Sequence, residues 1–169
     1  MIITKADVND ASSIATLAVQ VWLDTYAVEG IRDSFTKYVW SELTPDNFRI
    51  RFSNPDREFL KVEINSHLVG FAEINYNSTP GKNSGTNVEI EKLYIQENFC
   101  NKGIGKKLIF SINERCKDKG ILSVWLSVYE NNERAISFYR KNNFFESGDL
   151  YFNLDGEKHR NLILIRKTT

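Results

Sequence analysis

The order of hydrophobic patterns along the chain predicts an α+β fold built on a mixed α/β sheet. Two strand pairs joined by short polar turns signal antiparallel hairpins: Phe59–Ile64 with Leu68–Tyr76, and Phe144–Asn153 with Leu162–Lys167. Between them the alternating run Val88–Ile95 leads into a helical stripe and then a further strand, Leu122–Val128. Hairpins together with one strand–helix–strand crossover call for antiparallel and parallel neighbours in the same domain.

Taken in order, Met1-Ile2-Ile3 reads as a short first strand. Asp10 stands where it could cap a helix whose apolar positions, Ala11, Ile14, Ala15, Ala18, Val21 and Trp22, form one stripe. Residues 23–57 are irregular and aromatic-rich, with a second short helix near Ser34–Trp40. Thr44 as cap and Pro45 at the first helical position start another helical turn. The first hairpin turns at Asn65-Ser66-His67, and the Asn/Ser/Gly/Pro-rich stretch 77–87 is a loop. The helix after Gly105 carries Leu108, Ile109, Ile112 and Cys116 on one face and ends at Gly120. A last helix runs from Asn132, whose side chain can cap it, to Asn143, a residue that tolerates the left-handed conformation. Asp155-Gly156 marks the tip of the closing hairpin.

At 169 residues the chain suits a single domain, 1–169, with one substantial core. Lys+Arg and Asp+Glu balance at 22 each, and no basic block points to nucleic acid or a membrane surface. The two cysteines, Cys100 and Cys116, make no metal-ligand pattern, so no metal is expected and a reduced, cytoplasmic setting is. No leader pattern follows Met1, and no apolar run approaches 18 residues.

The stretch from Val88 to Leu108 carries the chemistry. A strand stops at Ile95, a short polar segment follows, then Gly103-Ile104-Gly105, then an amphipathic helix. Bare N–H groups at such a turn, with the positive end of the helix dipole, attract phosphate, and Lys102, Lys106 and Lys107 add charge there. The dinucleotide fingerprint fails, because Leu108 stands at its third glycine. The Walker pattern fails too, with Cys100 at its first glycine and Lys107 at its Ser/Thr. What remains resembles the Q/R-x-x-G-x-G/A loop of the GNAT superfamily of acyl-CoA-dependent N-acetyltransferases, with Cys100 in place of Gln or Arg. Downstream, Asn132 to Phe144 is similar to that family's N-x-x-A-x-x-F-Y-x-K-x-G-F segment.

The resemblance implies a central, mostly antiparallel twisted sheet of about seven strands flanked by about four helices. It implies acetyl-CoA as cosubstrate, its pyrophosphate over Cys100, Asn101, Lys102, Gly103, Ile104, Gly105 and Lys106. Its pantetheine would pair with the strand around Leu93, Tyr94 and Ile95, and the amide at or beside Leu93 would stabilise the oxyanion. Asn132 would touch the pantetheine. Tyr139 would stand near the sulfur as general acid; the alternative is a core tyrosine in stripe with Ala135 and Ile136. Glu89 and Glu91 alternate with Ile90 and so share a face of their strand. Relatives place a base on that strand, and either glutamate fits; the alternative is a solvated face. Cys100 as nucleophile is the weaker reading beside a phosphate-loop role. His67 and His159 read as solvated.

The expected acceptor is a small primary amine. In this fold its pocket is flanked by the segment with Trp22, Asp24, Tyr26, Glu29, Asp33, Phe35 and Tyr38, and by the last hairpin with Asp149, Tyr151, Asp155 and Glu157. Aromatics with carboxylates suit a flexible cation. The strand E-I-E-K-L-Y-I, the W-L-x-V-x-E-x-N segment and the last hairpin resemble the bacterial spermidine/spermine acetyltransferase branch, so the acceptor is expected to be a polyamine. The alternatives are that these aromatics form core and a homodimer face, that the acceptor is a peptide N-terminus, a protein lysine or an amino-sugar, or that the chain is a non-catalytic acyl-CoA sensor.

Overall fold

A computed structural model of the chain describes residues 1–81, 85–154 and 156–168. Lys82, Asn83 and Ser84 of the expected loop, Asp155 of the expected hairpin tip, and Thr169 lie outside the described residues. The elements are β1 (Ile2–Lys5), α1 (Ala11–Tyr26), α2 (Asp33–Glu42), α3 (Pro45–Ser53), β2 (Arg57–Ile64), β3 (His67–Asn75), β4 (Glu89–Ile95), α4 (Ile104–Asp118), β5 (Ser123–Tyr129), α5 (Glu133–Lys141), β6 (Phe145–Leu154) and β7 (Glu157–Lys167). The strands form a seven-stranded, mostly antiparallel sheet in the order β1-β2-β3-β4-β5-β7-β6, parallel at β4 and β5. This is the mixed α/β architecture expected, with five α-helices among the described residues where about four were expected.

Two compact units divide the chain. The first comprises Met1–Ile74 and Lys92–Ile109. β1 pairs antiparallel with β2, Ile3 opposite Val62. α1 packs against α3 and buries Ala11, Ile14, Ala15, Leu17, Ala18 and Trp22, the expected stripe with Leu17 added and Val21 left half-buried. Phe48 of α3 meets Phe59 and Phe71 edge-on at 6.2 and 6.0 Å, and all three rings are buried. Thr44 caps α3 as expected, accepting from the Asn47 amide at 3.2 Å. Asp10 does not cap α1 with its side chain. Asp7 starts a 3-10 turn at Val8–Asp10 instead: its carboxylate accepts from the Asn9 amide, and the Asp10 carboxylate accepts from the Asp7 amide at 3.0 Å. The capping carboxylate thus moves one turn upstream, and Asp10 is left to pair with Lys61 at 2.8 Å.

The second unit comprises Asn75–Glu91 and Phe110–Thr169. β5 and β7 pair antiparallel from Ser123 opposite Lys167 to Tyr129 opposite Asn161. β7 then pairs with β6, whose register shifts between Glu146 and Gly148. β4 joins β5 at Glu89 opposite Trp125, with the Trp125 amide donating to Val88 O at 2.9 Å. Strand alternation gives β7 two faces. Leu162, Leu164 and Arg166 share one, and Arg166 reaches Asn113 of α4 at 3.3 Å. Asn161, Ile163 and Ile165 share the other, with Trp125 and Tyr129. Asn132 caps α5 as expected, accepting from the Ala135 amide at 3.0 Å, and Asn143 ends it at φ 62°.

Candidate functional site

The first unit contains the turn from β4 to α4. A 3-10 turn at Glu97–Phe99 closes the strand, and the Cys100 amide donates to Glu97 O at 3.0 Å. The Cys100 thiol points back to the carbonyls of Gln96 and Ile95, at 3.6 and 3.8 Å. Cys100 therefore spends its amide and its thiol inside the turn, which narrows the expected cradle to Asn101 onward. Asn101 and Gly103 both take positive φ, 60° and 77°. Alternation of this kind turns successive N–H groups to one side. The Lys107 amide donates to Gly103 O at 3.2 Å, so Gly103 opens the helix. By helix geometry the amides of Ile104, Gly105 and Lys106 then have no intrahelical acceptor. A Cβ built on Gly103 meets nothing within 4 Å, so the turn faces open space. Asn101, Lys102, Gly103 and Lys106 are exposed, and the Lys102 ammonium lies 5.0 Å from the Phe99 ring. A concave row of amides at a helix start, rimmed by lysines, fits a pyrophosphate.

Behind this turn, Lys92–Ile95 are braced by features that sequence reasoning missed. Gly70 of β3 lets the strands close: a Cβ there would lie 2.9 Å from Tyr94 O and 3.2 Å from Ile95 Cγ1. Gln96 donates its amide to Val69 O at 3.0 Å, and Phe71 meets Tyr94 edge-on at 5.5 Å. Glu73 is fully buried and accepts from Arg57, from Lys92 at 3.0 Å and from Arg51 at 3.1 Å. One carboxylate so ties α3, β2 and β4 to β3. A charge in the apolar run Val69–Ile74 was the signal available, because a buried carboxylate demands cationic partners.

The second unit contains the expected acid–base residues. Glu89 accepts from Ser78 Oγ at 2.6 Å and Glu91 from Asn75 Nδ2 at 2.9 Å, both half-buried. Ser78 is itself held, its carbonyl accepting from Trp125 Nε1 at 2.8 Å. Tyr139 on α5 is half-buried between Phe138 and Phe144, with ring centroids at 5.3 and 5.4 Å. Asn132 lies at the N-terminus of the same helix, two turns away.

The expected acceptor residues divide. In the first unit, Trp22 and Phe35 are core, 3% and 7% exposed. Trp22 stacks on Tyr38 at 4.7 Å, and Arg32 already covers the Phe35 ring at 4.4 Å. The core reading therefore holds for these two, while Asp24, Glu29 and Asp33 remain exposed. In the second unit, Arg160 donates to Asp149 at 2.7 Å and to Glu130 at 3.2 Å, and these hydrogen bonds, the one to Asp149 first, raise the Arg160 pKa. His67 is exposed as expected, its Nδ1 2.7 Å from Asn65 O. His159 is not solvated: its side chain is 20% exposed and its Nε2 is buried, because β7 carries it inward beside Tyr129 at 5.8 Å. No helix among the described residues is long and apolar enough to cross a membrane.

Residues 24–144 match the family described as Acetyltransferase (GNAT) family. A spermidine N(1)-acetyltransferase of Thermoplasma acidophilum is 32% identical over 146 residues, 84% of this chain and 86% of that protein. A spermine/spermidine N(1)-acetyltransferase of Bacillus subtilis is 33% identical over 98 residues, 54% of this chain and 60% of that protein. Among solved structures, the PaiA N-acetyltransferase of Thermoplasma acidophilum in complex with coenzyme A superposes with a TM-score of 0.78 at 26% identity, covering 98% of each chain.

Proposed function

Because the chain belongs to the GNAT family of acetyl-CoA-dependent N-acetyltransferases, we propose that it acetylates a primary amine of a polyamine such as spermidine or spermine. The observation that carries the acetyl-CoA half is the β4–α4 turn, where left-handed Asn101 and Gly103 precede the bare first-turn amides of α4. Asn101 to Lys106 hold the pyrophosphate through those amides. The backbone of Leu93, Tyr94 and Ile95 pairs with the pantetheine, and the amide at or next to Leu93 donates to the oxyanion. Asn132 touches the pantetheine. Glu89 or Glu91, directly or through water, takes the proton that the attacking ammonium must lose, since a primary amine has a pKa of ~10.4. The neutral amine then attacks and the C–N bond forms, the tetrahedral oxyanion collapses as the C–S bond breaks, Tyr139 gives a proton to the departing thiolate, and the second proton shed by the acylated nitrogen returns Tyr139 to its protonated form.

The polyamine half is supported by the named activity of the two relatives above and by the exposed carboxylates Asp24, Glu29 and Asp33. The test is a thiol-release assay with acetyl-CoA and a panel of amines. Spermidine or spermine should give the highest kcat/KM. A peptide N-terminus, a lysine peptide or an aminoglycoside ahead by tenfold would remove the polyamine half. Acetyl-CoA binding without turnover of any amine would make the chain a sensor.

A further inference from the structure

We infer that Tyr129, Asn161 and His159 form the subsite that holds the non-reacting ammonium groups of a polyamine acceptor. The inference rests on the acetyltransferase and polyamine readings above and adds the residues that would recognise the acceptor's length.

Strand register places these three side chains on the face that carries the candidate bases. Glu89 stands opposite Trp125, Trp125 opposite Ile165, and Tyr129 opposite Asn161. Residues two apart on a strand share a face, so Glu91 follows Glu89 and His159 follows Asn161. Lys158 and Arg160 alternate to the opposite face, and Lys167, the cation that β7 does bring to this one, stands six residues beyond Asn161, about 20 Å along the strand.

Asn161 Oδ1 and His159 Nε2 are buried, and neither has a hydrogen-bond partner. Asn161 Oδ1 can only accept, whereas the Glu157 carboxylate 3.5 Å from His159 Nε2 favours a proton on that nitrogen, so Asn161 Oδ1 is the open acceptor here. A buried acceptor left without a donor costs stability, so a ligand seated there must donate to it. A phosphate or carboxylate cannot, whereas a protonated amine has two or three N–H bonds to offer. Glu157 Oε2, 3.5 Å from His159 Nε2, adds negative charge, and the Tyr129 ring beside His159 adds a cation–π face.

The spacing selects the class of amine. Tyr129 lies four residues beyond Trp125, about 13 Å along the strand from the level of Glu89 and about 7 Å from that of Glu91, and Asn161 is two strands across from both. A short monoamine reacting beside Glu89 or Glu91 falls short of Asn161. A flexible chain of several amines can reach it.

The experiment compares spermidine with propylamine as acceptors for the wild type, Asn161→Leu and Asn161→Asp. Leucine removes the acceptor oxygen at similar volume. The spermidine-to-propylamine ratio of kcat/KM should fall about tenfold or more, mainly through KM for spermidine, because the lost bond is to a charged donor. KM for acetyl-CoA should stay within about twofold. Aspartate restores the acceptor and adds charge, so its ratio should equal or exceed that of the wild type; it also guards against misfolding of the leucine variant. An unchanged ratio in Asn161→Leu, or a fall in Asn161→Asp, overturns the subsite while leaving a wild type that acetylates spermidine a polyamine enzyme. A wild type that prefers an aminoglycoside or peptide tenfold removes the polyamine reading and the subsite with it.

Discussion

Tyr139 sits between two phenylalanine rings at about 5.4 Å, so its ring is fixed on α5 whatever its hydroxyl does. That separates packing from chemistry. Tyr139→Phe keeps the ring and should lower kcat, by as much as ~10²–10⁴-fold for a general acid, with little change in KM for acetyl-CoA. Steady-state kinetics that show wild-type kcat would end the acid role. Cys100 behaves as a turn residue, its thiol lying near two backbone carbonyls. Cys100→Ser should retain turnover within about threefold, because a hydroxyl can make the same contacts and no nucleophile is lost. Complete loss of turnover with coenzyme A binding intact would reverse that assignment.

At the scale of elements, the strand beneath the proposed pantetheine path depends on two residues of β3. Gly70→Ala would drive a Cβ against Tyr94 O, a backbone atom that cannot rotate away. β4 must shift, so calorimetry should show weakened coenzyme A binding as well as a lower Tm; unchanged affinity would mean that this stretch does not bind the cosubstrate. Glu73→Gln leaves Arg51, Arg57 and Lys92 facing a neutral amide. Breaking a buried pair in this way should cost about 3–5 kcal/mol in denaturant unfolding. The ion pair that joins β2 to the start of α1 is weaker but has a pH signature. Hydrogen bonding to Asp10, with Coulomb attraction from Asp10, Glu63 and Asp7 added, raises the Lys61 pKa above its usual 10.5, against opposing desolvation. A raised lysine pKa contributes stability that is fully present below 10.5 and lost as pH climbs through the folded value. The stability gap between wild type and Lys61→Met should therefore stay level from neutral pH to about 10 and narrow above it. A gap that narrows on the acid side of neutrality would implicate another group.

For the whole molecule, a ligand that binds only the folded chain stabilises it by mass action. Acetyl-CoA at about 100 times its Kd should add about 2.7 kcal/mol, a Tm rise of about 5–10 °C for a chain of this size. Gly103→Val should abolish that rise, because valine is strained at φ 77° and its branches occupy the space before the amides. A full rise in this variant, measured by scanning calorimetry, would move the pyrophosphate elsewhere. The formal net charge is zero, so no net field of one sign acts on a charged acceptor at long range. Salt should accordingly act on the proposed polyamine acceptor through its nearby carboxylates, raising KM for spermidine by screening them and leaving KM for a monoamine nearly unchanged.

Local rules were enough for what the sequence by itself determined. The amphipathic stripe of α1, the Thr44-Pro45 start of α3, the Asn132 cap, the left-handed Asn143 and the strand–turn–helix of the β4–α4 turn are each set by neighbours within a few residues, and each was legible. The roles proposed for Leu93, Tyr94, Ile95, Asn132 and Tyr139 come from the resemblance of their motifs and not from these local rules. What only the tertiary structure decided were contacts between residues distant in the chain. Trp22 and Phe35 became core because α1 and α2 close their rings together; as letters they are equally good binding aromatics. Glu73 gathered partners 22, 16 and 19 residues away, and Gly70 became indispensable only because Tyr94 passes beside it. His159 looked solvated in a polar segment until strand register turned it inward beside Tyr129. A sequence displays propensity and periodicity along the chain, whereas burial and register depend on which surfaces the fold closes.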